Sequence, residues 1–96
     1  MKIYRTAQAG SLESQDILIT IKKGEENSGI VFELDSPSVV QYGRKIRDEI
    51  EEIVNKYELS DVFIQAIDKG ALGFTVKART ETAIERACRE KEDILE

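Results

Sequence analysis

Histidine is absent from this 96-residue chain, which also has no tryptophan, one proline and one cysteine. Each gap excludes a class of chemistry. Without imidazole there is no histidine general base, no Ser-His-Asp triad and no histidine metal site. A lone Cys88 forms neither an intrachain disulfide nor a paired-thiolate zinc site. No apolar run approaches the roughly 18 residues that cross a bilayer, so no membrane association is expected. The opening MKIYRTAQAGS lacks the apolar stretch of about 7–15 residues that a secretory signal needs, which points to the cytoplasm. Basic residues are in the minority, 14 Lys and Arg against 19 Asp and Glu, for a net charge of −5. That balance argues against nucleic acid as a partner, since a phosphate-backbone binder needs a basic excess. It suits a protein that docks on other proteins.

What is present organises into one domain. Residues 1–15 are small and mixed and read as a mobile N-terminal segment, ahead of a domain over 16–96. Ile17, Ile19 and Ile21 recur at every second position and point one way, the period of a half-buried strand. After the polar loop 23–29, Ile30, Phe32 and Leu34 alternate in the same way, and the two strands read as a long-looped hairpin. Ser36 suits a helix N-cap and Pro37 the first helical position. A helix over about 37–57 follows, with Val39, Gly43, Ile46, Ile50, Ile53, Val54 and Tyr57 in one stripe. Residues 62–67 and 72–78 then read as two strands joined by the turn 68–71. A last helix over about 81–94 places Ala83, Ile84, Ala87, Cys88 and Lys91 on one side. The expected fold is α+β: two ββα units forming a four-stranded, mostly antiparallel sheet with two helices on one face.

The chemistry-bearing residues are few. Ser14, within Ala9-Gly10-Ser11-Leu12-Glu13-Ser14-Gln15-Asp16, follows a glycine and precedes the first clear strand, a place where a modifying enzyme could reach a hydroxyl. An ordinary turn serine has the same setting. Asp68-Lys69-Gly70-Ala71-Leu72 reads as a hairpin turn with Gly70 at positive φ, and equally as an exposed corner for a partner. Glu51-Glu52 and Glu81-Glu85 are carboxylate pairs with no third group converging on them, as on a solvated helix face. Arg44, Lys45 and Arg47 are a solvated face or a grip for phosphate. Cys88 falls on the apolar side of its helix as a small core residue. No catalytic set and no metal site is expected.

The octapeptide from Ala9 to Asp16 resembles the A-G-S/T-L-E-S-x-D motif of the acyl carrier (gamma) subunit of citrate lyase. Gln41-Tyr42-Gly43 is similar to that family's Q-F-G, Asp68 to Leu72 matches its D-K-G-A-L, and Lys77-Ala78-Arg79 is similar to its R-A-R. The likeness runs over about residues 2–88, with Tyr42 for Phe and Lys77 for Arg as departures. It implies that Ser14 carries phosphoribosyl dephospho-coenzyme A through a phosphodiester, installed by a dedicated transferase. Ser11 competes for that role and ranks second because Ser14 aligns with the modified serine. The arm's thiol, not Cys88, would hold acetyl and citryl thioesters. The alpha subunit would exchange acetyl for citryl, releasing acetate, and the beta subunit would release oxaloacetate. Glu13, Asp16, Asp68, Lys69 and Gly70 are the expected partner-recognition residues. The chain itself would be a non-catalytic carrier whose cofactor supplies the chemistry. Gly10 stands where ordinary helical acyl carriers have the Asp of Asp-Ser-Leu, so neither 4′-phosphopantetheine nor a four-helix bundle is expected. Two alternatives stand beside this reading: the carrier of malonate decarboxylase, and an interaction module without a covalent cofactor.

Overall fold

A computed structural model describes residues 1–37 and 39–90. Six elements follow in order: β1 (Ala7–Gly10), β2 (Ile17–Lys23), β3 (Ile30–Asp35), α1 (Val39–Lys56), β4 (Val62–Asp68) and α2 (Gly73–Ala87). The strands form one mixed sheet in the order β1-β2-β4-β3. β1 and β2 pair antiparallel, as do β2 and β4, whereas β3 and β4 run parallel. The alternation read along β2 and β4 explains the layering. Ile17, Ile19 and Ile21, with Val62, Ile64 and Ala66, turn to one face and are fully buried there. Their neighbours Leu18, Thr20, Phe63, Gln65 and Ile67 turn to the other and keep partial contact with water. Both helices pack on the isoleucine face. α1 contributes Gly43, Ile46, Ile50, Ile53 and Val54, and α2 contributes Val76, Thr80, Ala83, Ile84 and Ala87. The expected α+β class, four strands and two helices are therefore observed.

Three parts of the expected layout change. The pair β2 and β3 is not a hairpin, because β4 lies between them and pairs with both. Periodicity identifies strands but carries no information on which neighbour each one takes. Residues 72–78, expected as a strand, instead open α2. The alternation Leu72, Phe74, Val76, Ala78 competes with the stripe Val76, Thr80, Ala83, Ile84, Ala87, and the longer helical period wins. As a result Leu72 and Phe74 are exposed, at 62% and 73%, while Val76 is fully buried. The fourth strand is β1, at the other end of the chain.

β1 and Ile3 fall within residues 1–15, which the sequence sets apart from the domain, yet they belong to the same sheet and core. Small residues do this work: Ala9 is buried on the side of β1 that meets α2, and so small a side chain does not read as core from pattern alone. The segment also closes α2. The Tyr4 and Arg5 amides donate to the Ala87 carbonyl at 2.8 and 3.2 Å, and the Arg5 guanidinium donates to the carbonyls of Arg89 and Glu90. Amide and cationic donors here satisfy carbonyls that a helix C-terminus leaves unpaired. Lys91, placed by the sequence reading in the last helix, lies outside the described residues.

The helical start of α2 has a direct test. Val76→Ala should cost about 2 kcal/mol of unfolding free energy, from lost burial plus a cavity. Phe74→Ala should stay within about 0.5 kcal/mol. Urea unfolding measures both, and equal losses would restore an inward-facing strand.

Candidate functional site

β1 ends at Gly10 and β2 begins at Ile17, so a six-residue connection carries both candidate serines. Gly10 sits at φ +100, and a Cβ there would collide with the Ile17 carbonyl oxygen. Glycine is what lets the loop leave the strand so tightly. The Asp16 amide then donates to the Glu13 carbonyl at 3.1 Å, closing a turn with Ser14 and Gln15 at its centre. Gln15 has φ +66, the positive angle that a type II turn requires at its third position. An L side chain adopts that angle rarely, and here two backbone bonds hold it. The Gln15 amide donates to the Lys69 carbonyl at 2.8 Å, and the Lys69 amide donates to the Asp16 carbonyl at 2.9 Å. The serine turn and the 68–72 loop are thus stitched together across the sheet end.

The two serines differ. The Ser11 hydroxyl is half-buried, donates to Asp16 Oδ2 at 2.7 Å and accepts the Glu13 amide at 3.2 Å. Ser14 is exposed at the tip of the turn, and its hydroxyl bonds to no described group. Beneath it, Asp16 gathers the loop. Its carboxylate accepts both the Nε and Nη2 protons of Arg79, each at 3.0 Å, and the Ile17 amide at 2.8 Å. This two-pronged arginine fork, with the Ser11 hydroxyl second, holds the Asp16 carboxyl down at about 2. The sequence reading matched Arg79 only as the end of an R-A-R motif and gave it no role. Its spacing from Asp16, 63 residues away, carried no local signal.

The 68–72 loop has its own anchor. Asp68 is buried, accepts the Ser36 hydroxyl at 2.8 Å, and takes the Gly70 and Ala71 amides at 3.1 and 2.9 Å. Gly70 has the expected positive φ, +92, but the turn leads into α2 and not into a second strand. Of the five expected partner-recognition residues, Glu13, Lys69 and Gly70 are exposed, whereas Asp16 and Asp68 face inward and shape the two loops. Arg44, Lys45 and Arg47 are exposed on α1. Glu81 and Glu85 bond to Lys56 and to the Tyr57 hydroxyl, as solvated helix-face residues do. Cys88 is half-buried against the core, and burial raises its thiol pKa, which disfavours the reactive thiolate. No cluster of His, Cys, Asp or Glu among the described residues could hold a metal. No described helix is long and apolar enough to cross a membrane. What the arrangement offers is an accessible primary alcohol on a firmly braced turn, with no base hydrogen-bonded to it among the described residues. Such a group can receive a substituent from an enzyme but is not itself activated.

The Asp16 bridge predicts an acid limb of stability. Its carboxyl moves from 3.8 to about 2 on folding, so its contribution is full above about pH 4 and disappears as pH falls through 2. The Arg79 side chain is 43% exposed, which trims the contribution to about 1–2 kcal/mol. Asp16→Asn should therefore unfold earlier in urea at pH 7, with the gap closing as pH falls through 2. A gap that stays constant with pH would show that the loss is not electrostatic.

A family model described as "Malonate decarboxylase delta subunit (MdcD)" matches residues 4–87. A citrate lyase acyl carrier protein of Halothermothrix orenii is 44% identical over 94 residues, spanning 98% of each chain. One from Streptococcus uberis is 47% identical over 87 residues, covering 91% of this chain and 84% of its own. Among solved structures, a chain of a Pseudomonas malonate decarboxylase hetero-tetramer in complex with malonate superimposes with a TM-score of 0.68. It covers 86% of this chain and 84% of its own at 18% identity, a likeness of fold. With near-complete coverage at more than 40% identity and the motif residues gathered at one end of the sheet, the chain belongs to the citrate lyase acyl carrier protein family.

Proposed function

We propose that this chain is the acyl carrier subunit of citrate lyase, bearing phosphoribosyl dephospho-coenzyme A in phosphodiester linkage on Ser14. The observation that carries this reading is the contrast between the two serines: Ser11 is tied to Asp16, while Ser14 is exposed on a braced tip with no hydrogen bond to its hydroxyl among the described residues. A transferase needs access to one oxygen and a recognisable backbone around it, and the turn provides both. When bound, the prosthetic group supplies a terminal thiol to which acyl groups are joined, so no catalytic set is needed on the chain. Cys88, half-buried with a raised pKa, is a poor substitute for that thiol.

The chain's own residues position the arm. Asp16 and Arg79 fix the base of the turn, and the Lys69 backbone fixes its flank, so the backbone that carries Ser14 is held in place. Glu13, Lys69 and Gly70 are the exposed groups that the transferase and the alpha and beta subunits would meet around the attachment point. Tethering keeps the carried group at high effective concentration near two partner sites as citrate is converted to acetate and oxaloacetate in the cytoplasm. The family model and the solved structure favour a second reading, a carrier for malonate decarboxylase. The identity of 44% to a citrate lyase carrier, against 18% to the malonate decarboxylase chain, supports the first.

Coexpression with the transferase followed by intact-mass measurement and peptide mapping tests the assignment. Ser14→Ala should lose the added mass and all citrate cleavage in the reconstituted complex. Ser11→Ala should keep the modification, with a modest loss of stability from one hydrogen bond, about 1 kcal/mol. Full activity of Ser14→Ala would refute the attachment site. Malonate turnover without citrate turnover would select the second reading.

A further inference from the structure

β3 forms one edge of the sheet, and its outer side is bare. The Val62 amide donates to the Gly29 carbonyl at 3.1 Å, and Ile30 aligns with Val62. That bond fixes the alternation along the parallel ladder. Val31, Glu33 and Asp35 turn their backbone groups to β4, and Ile30, Phe32 and Leu34 turn theirs outward. No described group bonds to those outward amides and carbonyls. The opposite edge is dressed differently: β1 is four residues long, and the Arg86 guanidinium donates to its Gln8 carbonyl at 2.8 Å. β3 runs Ile-Val-Phe-Glu-Leu-Asp, without the lysine or proline that blunts an exposed edge.

A groove of about 450 Å³ follows this edge between β3 and α1. Ile30 and Phe32 line it from the strand, and Arg44, Arg47, Asp48 and Glu51 line it from the helix. These charges stand at i, i+3, i+4 and i+7, so they form one stripe. All are exposed, and none has an ion-pair partner among the described residues. The stripe matches its own reverse. Turned end for end about the point between Arg47 and Asp48, it sets Arg44 on Glu51 and Arg47 on Asp48, cation on anion throughout. β3 also matches its own reverse. Turned about Phe32, it sets Phe32 on Phe32 and Ile30 on Leu34, apolar on apolar, and Val31 opposite Glu33, so no like charges meet. The two centres lie together, because the Arg47 guanidinium sits 5.8 Å over the Phe32 ring and Gly43 packs over Leu34.

We propose that this edge pairs with a second copy of the chain, the two β3 strands running antiparallel about Phe32 with the two α1 helices side by side above them. A two-fold axis normal to the sheet is the single operation that satisfies strand and helix at once. Under it the outward backbone groups of Ile30 meet those of Leu34 in the second copy, the two Phe32 residues meet each other, and the sheet continues from one copy into the next. The helices then run antiparallel, and their charge stripes meet with opposite signs. An open edge accepts any strand, but the order of these four charges is matched by the same order reversed, which a second copy supplies. The serine turn joins β1 to β2 on the far side of β4, so pairing at β3 leaves both copies of Ser14 exposed. The pairing does not depend on what Ser14 carries.

Sedimentation velocity of the full chain over a concentration series tests this. The mass should rise from 10.9 kDa toward twice that value, and amide exchange at Ile30, Phe32 and Leu34 should slow in step with it. Two double variants at exposed helix positions give the decisive comparison. Arg44→Glu with Arg47→Glu makes the stripe wholly acidic, and Asp48→Lys with Glu51→Lys makes it wholly basic. Each alone should weaken self-association at least about tenfold, because like charges then face each other. Mixed in equal amounts, the two should pair again, with affinity at or above the parent's. Far-ultraviolet circular dichroism verifies the fold of each variant. A parent chain that stays monomeric across the series would overturn the proposal. A dimer that neither variant weakens would overturn it too, since it would use another face. Slowed exchange at β3 that arises only when lyase subunits are added would also overturn it, making the edge a docking site for a different protein.

Discussion

One carboxylate organises the end of the sheet where the motifs meet. Asp16 accepts from Arg79 on α2, from the Ser11 hydroxyl and from the Ile17 amide at the start of β2. Removing it would free the loop, the strand start and the helix from one another at a single point. A short surface turn with a non-glycine residue at positive φ needs such bracing, because its own backbone bonds do not outweigh the entropy of ordering it. Asp68 does the same for the neighbouring loop, and two backbone bonds lock the loops together. The motif acids therefore act mainly from beneath the surface, and the groups at the surface are the ones they hold in place.

Much of the architecture was legible from periodicity. β2, β3, β4 and α1 lie where the alternating and three-to-four spacings put them, because each has a face rich in isoleucine, valine or leucine. Two elements escaped. β1 is Ala-Gln-Ala-Gly, with too little apolar area to announce a strand, and it exists through pairing with β2. The first turns of α2 are Gly-Phe-Thr-Val-Lys-Ala, a run that alternates by accident and is helical because Val76 and Thr80 must share a face with Ala83 and Ile84. Strand order is a tertiary property, and nothing local separates β2 from β3 by β4.

The site was legible differently. Ser14 and the 68–72 loop were candidates from their setting, but only likeness to a motif set them above ordinary turn residues, since an isolated serine in a turn has no distinguishing pattern. The same likeness could not say which motif residues face outward. Only the geometry divides them, with Glu13, Ser14, Lys69 and Gly70 exposed and Asp16, Asp68 and Arg79 engaged in support. A motif conflates the groups that are touched with the groups that hold them.

The parts of the serine turn come from opposite ends of the chain. Gly10 to Asp16 emerge early in synthesis, while Lys69 and Arg79, which brace them, emerge late. A nascent chain halted before residue 69 contains the serine but not the shape around it. The turn therefore acquires its braced geometry only once the chain has been made through Arg79 and has folded.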